Sequence, residues 1–224
     1  MTQIQENLGN INSEINKISA QYKVNSNNID LIAVSKQQPD ERIQYALDAN
    51  HRVFGENRVQ EAQQRWQDIR PHYPDLRLHL IGPLQTNKVK DAVALFDFIH
   101  TIDRPKLARA VAKEVREQQR NVTCFIQVNT GAEEQKSGVL PADLPTLLQL
   151  CYDEGLSIAG LMCIPPQDDL PALHFSFLRQ LAQQHILNDL SMGMSGDYQR
   201  AIALAPENGK LYLRVGTGVF GTRV

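Results

Sequence analysis

The 224-residue sequence is poor in the features that would commit a chain to a membrane, to export or to a disulfide scaffold. No apolar run approaches the length needed to span a bilayer. The opening residues, Met1-Thr2-Gln3-Ile4-Gln5-Glu6, carry neither the basic stretch nor the apolar stretch of an export signal. Its three cysteines, Cys124, Cys151 and Cys163, are an odd number without close pairing or metal-type spacing. They read as small core hydrophobes in a reducing cytosol, Cys124 and Cys163 inside strands and Cys151 on a helix face. A formal net charge of -2 gives no electrostatic case for nucleic acid or for an anionic membrane surface. No linker or compositional break divides the chain, and no Gly-rich dinucleotide fingerprint follows the first predicted strand. The expectation is a cytoplasmic protein with neither a nucleic-acid nor a membrane partner.

What the sequence does contain is a rhythm. In Leu31-Ile32-Ala33-Val34-Ser35-Lys36-Gln37-Gln38-Pro39, four apolar residues read as a strand buried on both faces, as in a parallel sheet. Pro39-Asp40 then opens a helix. Before this, Ile4, Leu8, Ile11, Ile15, Ile18 and Tyr22 recur at steps of four and three, the mark of an amphipathic helix. Strands are expected over 31–35, 51–57, 76–81, 96–102, 122–128, 158–164, 190–194 and 211–215. Helices are expected over 40–49, 59–69, from 86 onward, and over 105–118, 144–153, 173–186 and 198–204. Alternation of this kind implies parallel crossovers, and closing it on itself gives a (β/α)8 TIM barrel, one domain over 1–224, with an extra N-terminal helix. An open doubly wound sheet is the alternative. The last strand leaves no room for an eighth crossover helix, so the N-terminal helix is expected to cover part of that gap. No second domain is expected.

Barrels carry their chemistry where the strands end. Lys36 sits at such an end. Two readings stand: a rim lysine extending into water, or a desolvated amine able to attack a carbonyl and form a Schiff base. The seventh strand ends in Met192-Gly193-Met194-Ser195-Gly196-Asp197 and the eighth in Arg214-Val215-Gly216-Thr217-Gly218-Val219-Phe220-Gly221. Free backbone N–H groups, a helix start and the Ser195 and Thr217 hydroxyls suit a phosphate between adjacent loops. The alternative is ordinary turn chemistry, with Asp197 capping a helix. Arg214 is expected near the barrel mouth, either paired with a barrel acid such as Glu56 or donating to a ligand. A Schiff-base lysine, a phosphate cradle and a permanent donor between them suit pyridoxal 5′-phosphate.

Five motifs then support a resemblance. Ala33-Val34-Ser35-Lys36, Phe54-Gly55-Glu56-Asn57, His79-Leu80-Ile81-Gly82-Pro83-Leu84-Gln85-Thr86-Asn87-Lys88, Gly193-Met194-Ser195 and Arg214-Val215-Gly216-Thr217 resemble the pyridoxal phosphate homeostasis family. That family is similar to the barrel domain of alanine racemase, fold type III among enzymes of this cofactor. The resemblance implies that Lys36 holds the cofactor as a Schiff base, that Ser195, Gly196, Gly216 and Thr217 bind its phosphate, and that Arg214 faces the pyridine nitrogen. It also implies that Asn57, His79 and Met162 lie near the ring. Lys136 reads either as a second lysine near the mouth or as a solvated loop lysine.

An arginine at the ring nitrogen cannot accept a proton, so that nitrogen stays unprotonated and the ring is a weaker electron sink. Alanine racemase adds a second domain whose tyrosine serves as the opposing base, and none is expected here. The expectation is a buffer or carrier of the cofactor with little or no catalysis, affecting amino-acid and keto-acid pools, monomeric, with apo-enzymes as transient recipients. A fold type III amino-acid racemase and a cofactor-free Schiff-base aldolase are the alternatives.

Overall fold

The computed structural model describes residues 2–133 and 135–222, and among them eight parallel strands close into a ring. In chain order these are β1 (Ile29–Val34), β2 (Val53–Glu56), β3 (Arg77–Leu80), β4 (Phe98–Ile102), β5 (Thr123–Gln127), β6 (Ser157–Met162), β7 (Asp189–Met194) and β8 (Leu211–Val215). The last strand pairs back onto the first, from Ile29 opposite Leu211 to Ala33 opposite Val215. Helix α1 (Gln3–Tyr22) precedes the ring. The strands are followed in turn by α2 (Asp40–Asp48), α3 (Val59–Ile69), α4 (Val89–Leu95), α5 (Pro105–Glu117), α6 (Leu144–Asp153), α7 (Pro171–Gln184), α8 (Tyr198–Ile202) and α9 (Thr217–Phe220). This is the (β/α)8 barrel that the alternation predicts. Among the described residues, no helix is long and apolar enough to cross a membrane.

Two apolar layers hold it. Between strands and helices, Trp66, Phe96, Phe175, Leu78 and Ile99 are fully buried. Inside the ring, Ile32, Val53, Phe125, Met162 and Tyr212 form a second cluster. The N-terminal floor is polar: Asp30 receives Arg77 at 2.8 Å and Lys210 at 3.1 Å. That pairing explains why β1 begins two residues earlier than the sequence predicts. Asp30 follows an Asn-rich stretch and reads as loop, yet its charge is matched by residues distant in sequence.

Helix α1 forms because Ile4, Leu8, Ile11 and Ile15 share one buried face. Its start is closed by a reciprocal cap, Gln5 N donating to Thr2 Oγ1 at 3.3 Å and Thr2 N to Gln5 Oε1 at 2.8 Å. It packs on α2, α8 and α9, bridging the last and first units of the barrel as expected. The gap is not left to α1 alone, however. Gly216 turns the chain into the one-turn helix α9, and Asn7 Nδ2 donates to the Val219 carbonyl at 2.9 Å. The helix expected from residue 86 starts as a 3-10 turn over Thr86–Lys88 and becomes α-helical at Val89. Thr86 and Asn87 are weak helix formers, one β-branched and one whose amide competes for the backbone. All three cysteines are buried, and burial pushes each thiol up to about 12. Cys163 lies one residue beyond β6 rather than within it.

Two substitutions in α1 should move stability in opposite directions. Ile11→Ala should cost about 2–4 kcal/mol in urea unfolding, through lost burial and the cavity left behind. Gly9→Ala should add roughly 0.5–1 kcal/mol, because a Cβ there meets nothing within 4 Å and glycine is a poor helix former.

Candidate functional site

The C-terminal ends of β1, β7 and β8 are neighbours in the ring, which brings Lys36, Ser195, Arg214, Gly216 and Thr217 to one place. Lys36 is half-buried in a tight turn closed by Gln38 N donating to the Ser35 carbonyl at 3.1 Å. Gln37 completes the turn in the left-handed region, with φ of 56°.

The loops after β7 and β8 are joined by Ser195. Its Oγ accepts from Gly216 N at 3.2 Å and from Gly218 N at 3.4 Å, which leaves its own proton free to point outward. Thr217 and Gly196 are exposed beside it. A Cβ built on Gly196 would meet nothing within 4 Å, and one on Gly216 would first meet Val34 Cβ at 3.5 Å. Neither glycine is demanded by packing within the chain; each leaves a space that a side chain would fill. Asp197 stands at the N-cap of α8, but its side chain makes no capping hydrogen bond there. Its Oδ1 accepts from Met194 N at 2.6 Å and closes the end of β7 instead.

Arg214 is 4% exposed, and among the described residues no carboxylate forms an ion pair with it. Glu56, a partner considered from the sequence, pairs with Arg65 at 2.8 Å. Arg214 donates instead to two neutral acceptors, Ser191 Oγ at 2.7 Å and the Cys163 carbonyl at 2.8 Å. Burial pulls its pKa down from the ordinary guanidinium value. Behind it, His100 Nδ1 lies 2.8 Å from Ser191 Oγ, and His100 Nε2 lies 2.9 Å from His79 Nδ1. Arg214 donates to Ser191, and two tautomer assignments give each further contact one donor: Ser191 to His100 to His79, or His79 to His100 to Ser191, whose hydroxyl oxygen can accept twice. The chain ends at His79 Nε2, which is buried and has no hydrogen-bond partner among the described residues. Burial drives both imidazoles well below the ordinary histidine range, so both are neutral. Their rings stack on Phe98 (4.1 Å) and Phe125 (4.5 Å).

The remaining predicted positions lie around this centre. Asn57 is half-buried at the end of β2, and its Oδ1 is sealed without a hydrogen-bond partner. Met162 and His79 have no accessible surface and belong to the filling of the barrel. Lys136 is a half-exposed loop lysine. It pairs with Glu133 at 2.6 Å, donates to the Pro165 carbonyl at 3.4 Å, and lines a cleft of about 300 Å³ with Gln127 and Ile164. The sequence reading did not single out Ser191, His100 or Arg65. For the first two the signal is a polar residue alternating inward within an apolar strand; Arg65, on a polar helix face, gives none.

A family model described as "Alanine racemase, N-terminal domain" matches residues 3–224. The Pyridoxal phosphate homeostasis protein of Vibrio cholerae serotype O1 is 41% identical, with 100% of this chain and 98% of that protein covered. The protein of the same name from Escherichia coli K12 is 34% identical, at 100% and 98% coverage. Among solved structures, PipY of Synechococcus elongatus PCC7942 with PLP bound superposes with a TM-score of 0.77 at 37% identity, covering 98% of this chain and 100% of that one. Alanine racemase from Clostridium difficile 630 shares the fold, with a TM-score of 0.72 at 12% identity over 98% of this chain and 56% of that one.

The neutral histidines make stability depend on pH. His51 is half-buried, and its desolvation lowers it to about 4. Each of these groups binds a proton more readily when unfolded, so its effect is absent above the unfolded value near 6.5 and stability falls as pH drops below it, by about 1 kcal/mol per pH unit per histidine. Urea unfolding between pH 7.5 and 5 should show this slope, and His51→Gln should reduce it.

Proposed function

The chain belongs to the family of the alanine racemase N-terminal domain, among its pyridoxal phosphate homeostasis proteins, and from that premise we propose that it holds pyridoxal 5′-phosphate on Lys36 as a cytoplasmic reserve of the cofactor. The observation that carries the reading is Arg214, a buried cation with no carboxylate ion pair among the described residues, two residues before the glycine where the loops after β7 and β8 meet. An unmatched buried charge is costly, and an acceptor-rich ligand over it relieves that cost.

The residues present fit this cofactor. When bound, it supplies an aldehyde that a primary amine captures and an aromatic ring that withdraws electrons. Ser195 offers a hydroxyl proton with no acceptor among the described residues, Thr217 offers a second hydroxyl, and Gly196 and Gly216 leave room for phosphate oxygens to approach the backbone. Arg214 can only donate, so a ring nitrogen facing it must accept. Asn57, half-buried at the end of β2, supports the reading as a residue near the ring. His79 and Met162, which have no accessible surface, support the floor from beneath.

The same residues argue for little or no turnover. Racemisation needs an acid and a base on opposite faces of a carbon. Lys36 can serve one face. Arg214 stays protonated, the Ser195 and Thr217 hydroxyls are poor bases near neutrality, and His79 is sealed and neutral. A monomer that passes the cofactor to transient apo-enzyme recipients is consistent with this arrangement.

The purified protein should be yellow, and borohydride followed by peptide mass analysis should place the adduct on Lys36. Lys36→Ala should emerge from cells colourless. In D2O, exchange of an amino-acid α-proton should run no faster than with free cofactor. A yellow Lys36→Ala protein would overturn the assignment, and rapid exchange would restore the racemase reading. A colourless parent trapped only with a sugar phosphate would favour an aldolase.

A further inference from the structure

The turn that carries Lys36 is gripped from outside the strand that delivers it. Arg65, on α3, lies against this turn with a side chain that is 13% exposed. Its Nη1 donates to the Ser35 carbonyl at 3.2 Å and its Nη2 to the Gln38 carbonyl at 2.7 Å, the two ends of the turn. A planar guanidinium with donors in a fixed fork suits two carbonyls held at a set separation. The turn needs such support, because Gln37 is a non-glycine residue at φ of 56°.

Arg65 is itself held. Glu56, whose side chain has no accessible surface, accepts from Arg65 Nη1 at 2.8 Å, from Ser35 Oγ at 2.7 Å and from Trp66 Nε1 at 3.0 Å, all on Oε1. The Asp40 contact of Arg65, at 3.0 Å, is to a carboxylate 78% exposed and contributes little. A desolvated ion pair adds little net stability over an apolar pair of the same volume. What this one supplies is direction: β2 provides the acid, α3 provides the fork, and both converge on the turn that carries the amine.

We infer that Arg65, anchored by Glu56, is a positioning residue for Lys36, setting the approach of its amine to the carbonyl it captures. This rests on the reading that Lys36 takes the aldehyde of pyridoxal 5′-phosphate. Such a role separates capture from phosphate binding, which uses the other side of the crevice.

The test compares two ligands. Pyridoxine 5′-phosphate has an alcohol in place of the aldehyde and reports phosphate and ring binding alone. Stopped-flow absorbance with pyridoxal 5′-phosphate, checked by borohydride trapping, reports capture by Lys36. In Arg65→Met, capture should slow by about tenfold or more while affinity for pyridoxine 5′-phosphate stays within about threefold. Arg65→Lys keeps a charge opposite Glu56 but cannot span both carbonyls. It should show the same split and decides the matter if the methionine variant does not fold. Unchanged capture in these variants, or an equal fall in capture and in affinity, overturns the inference while leaving Lys36 as the acceptor. If the adduct in the unmodified protein maps elsewhere, the assignment of Lys36 fails, and the positioning role fails with it.

Discussion

The constraint that governs this molecule is the burial of the Arg214 guanidinium among neutral acceptors. Placing a full charge in a protein interior is expensive unless a counter-charge or strong acceptors surround it. Here the protein supplies a serine hydroxyl and a backbone carbonyl, and behind the serine two histidines that burial keeps neutral. The serine ties the guanidinium to this histidine pair, so the guanidinium is held in place without being neutralised. Its field is left directed at the open end of the barrel. A carboxylate in place of Ser191 would make a more comfortable interior and a less useful mouth.

The crevice above Arg214 is assembled by ties between elements far apart in sequence. Ser195 collects the backbone of the loop after β8, so the two loops that flank it act as one piece. On the other side, Arg42 Nη1 is shared between Gln38 Oε1 at 3.1 Å and the Phe220 carbonyl at 3.0 Å, linking the Lys36 turn to α9. Helix α1 lies over this junction and adds Tyr198 Oη donating to Glu14. The amine and the cradle opposite it are therefore positioned relative to each other, not independently.

Much of the fold was legible because it rests on local periodicity. The runs 59–69, 144–153 and 211–215 coincide with α3, α6 and β8, whose apolar spacing and flanking turn residues mark both ends. Strand ends set by distant partners were not legible. Asp30 joins β1 because Arg77 and Lys210 meet it, and nothing near it in sequence announces them. The strand-end glycines, Lys36 and Arg214 stood out as residues whose chemistry did not suit a plain barrel. Ser191 and His100 did not, since a small hydroxyl and a single imidazole inside a strand look like incidental polarity until their contact is seen. The contacts of Lys136 with Glu133 and Pro165 were not legible either, being a property of the folded loop.

The pairing of β8 with β1 has a bearing on when the molecule can act. The amine arrives with the first strand, whereas its opposite wall arrives with the last two. If Lys36 and the loops after β7 and β8 hold the cofactor as proposed, a nascent chain lacking its final segment has the amine without its opposite wall, and a bound chromophore would report that the ring has closed.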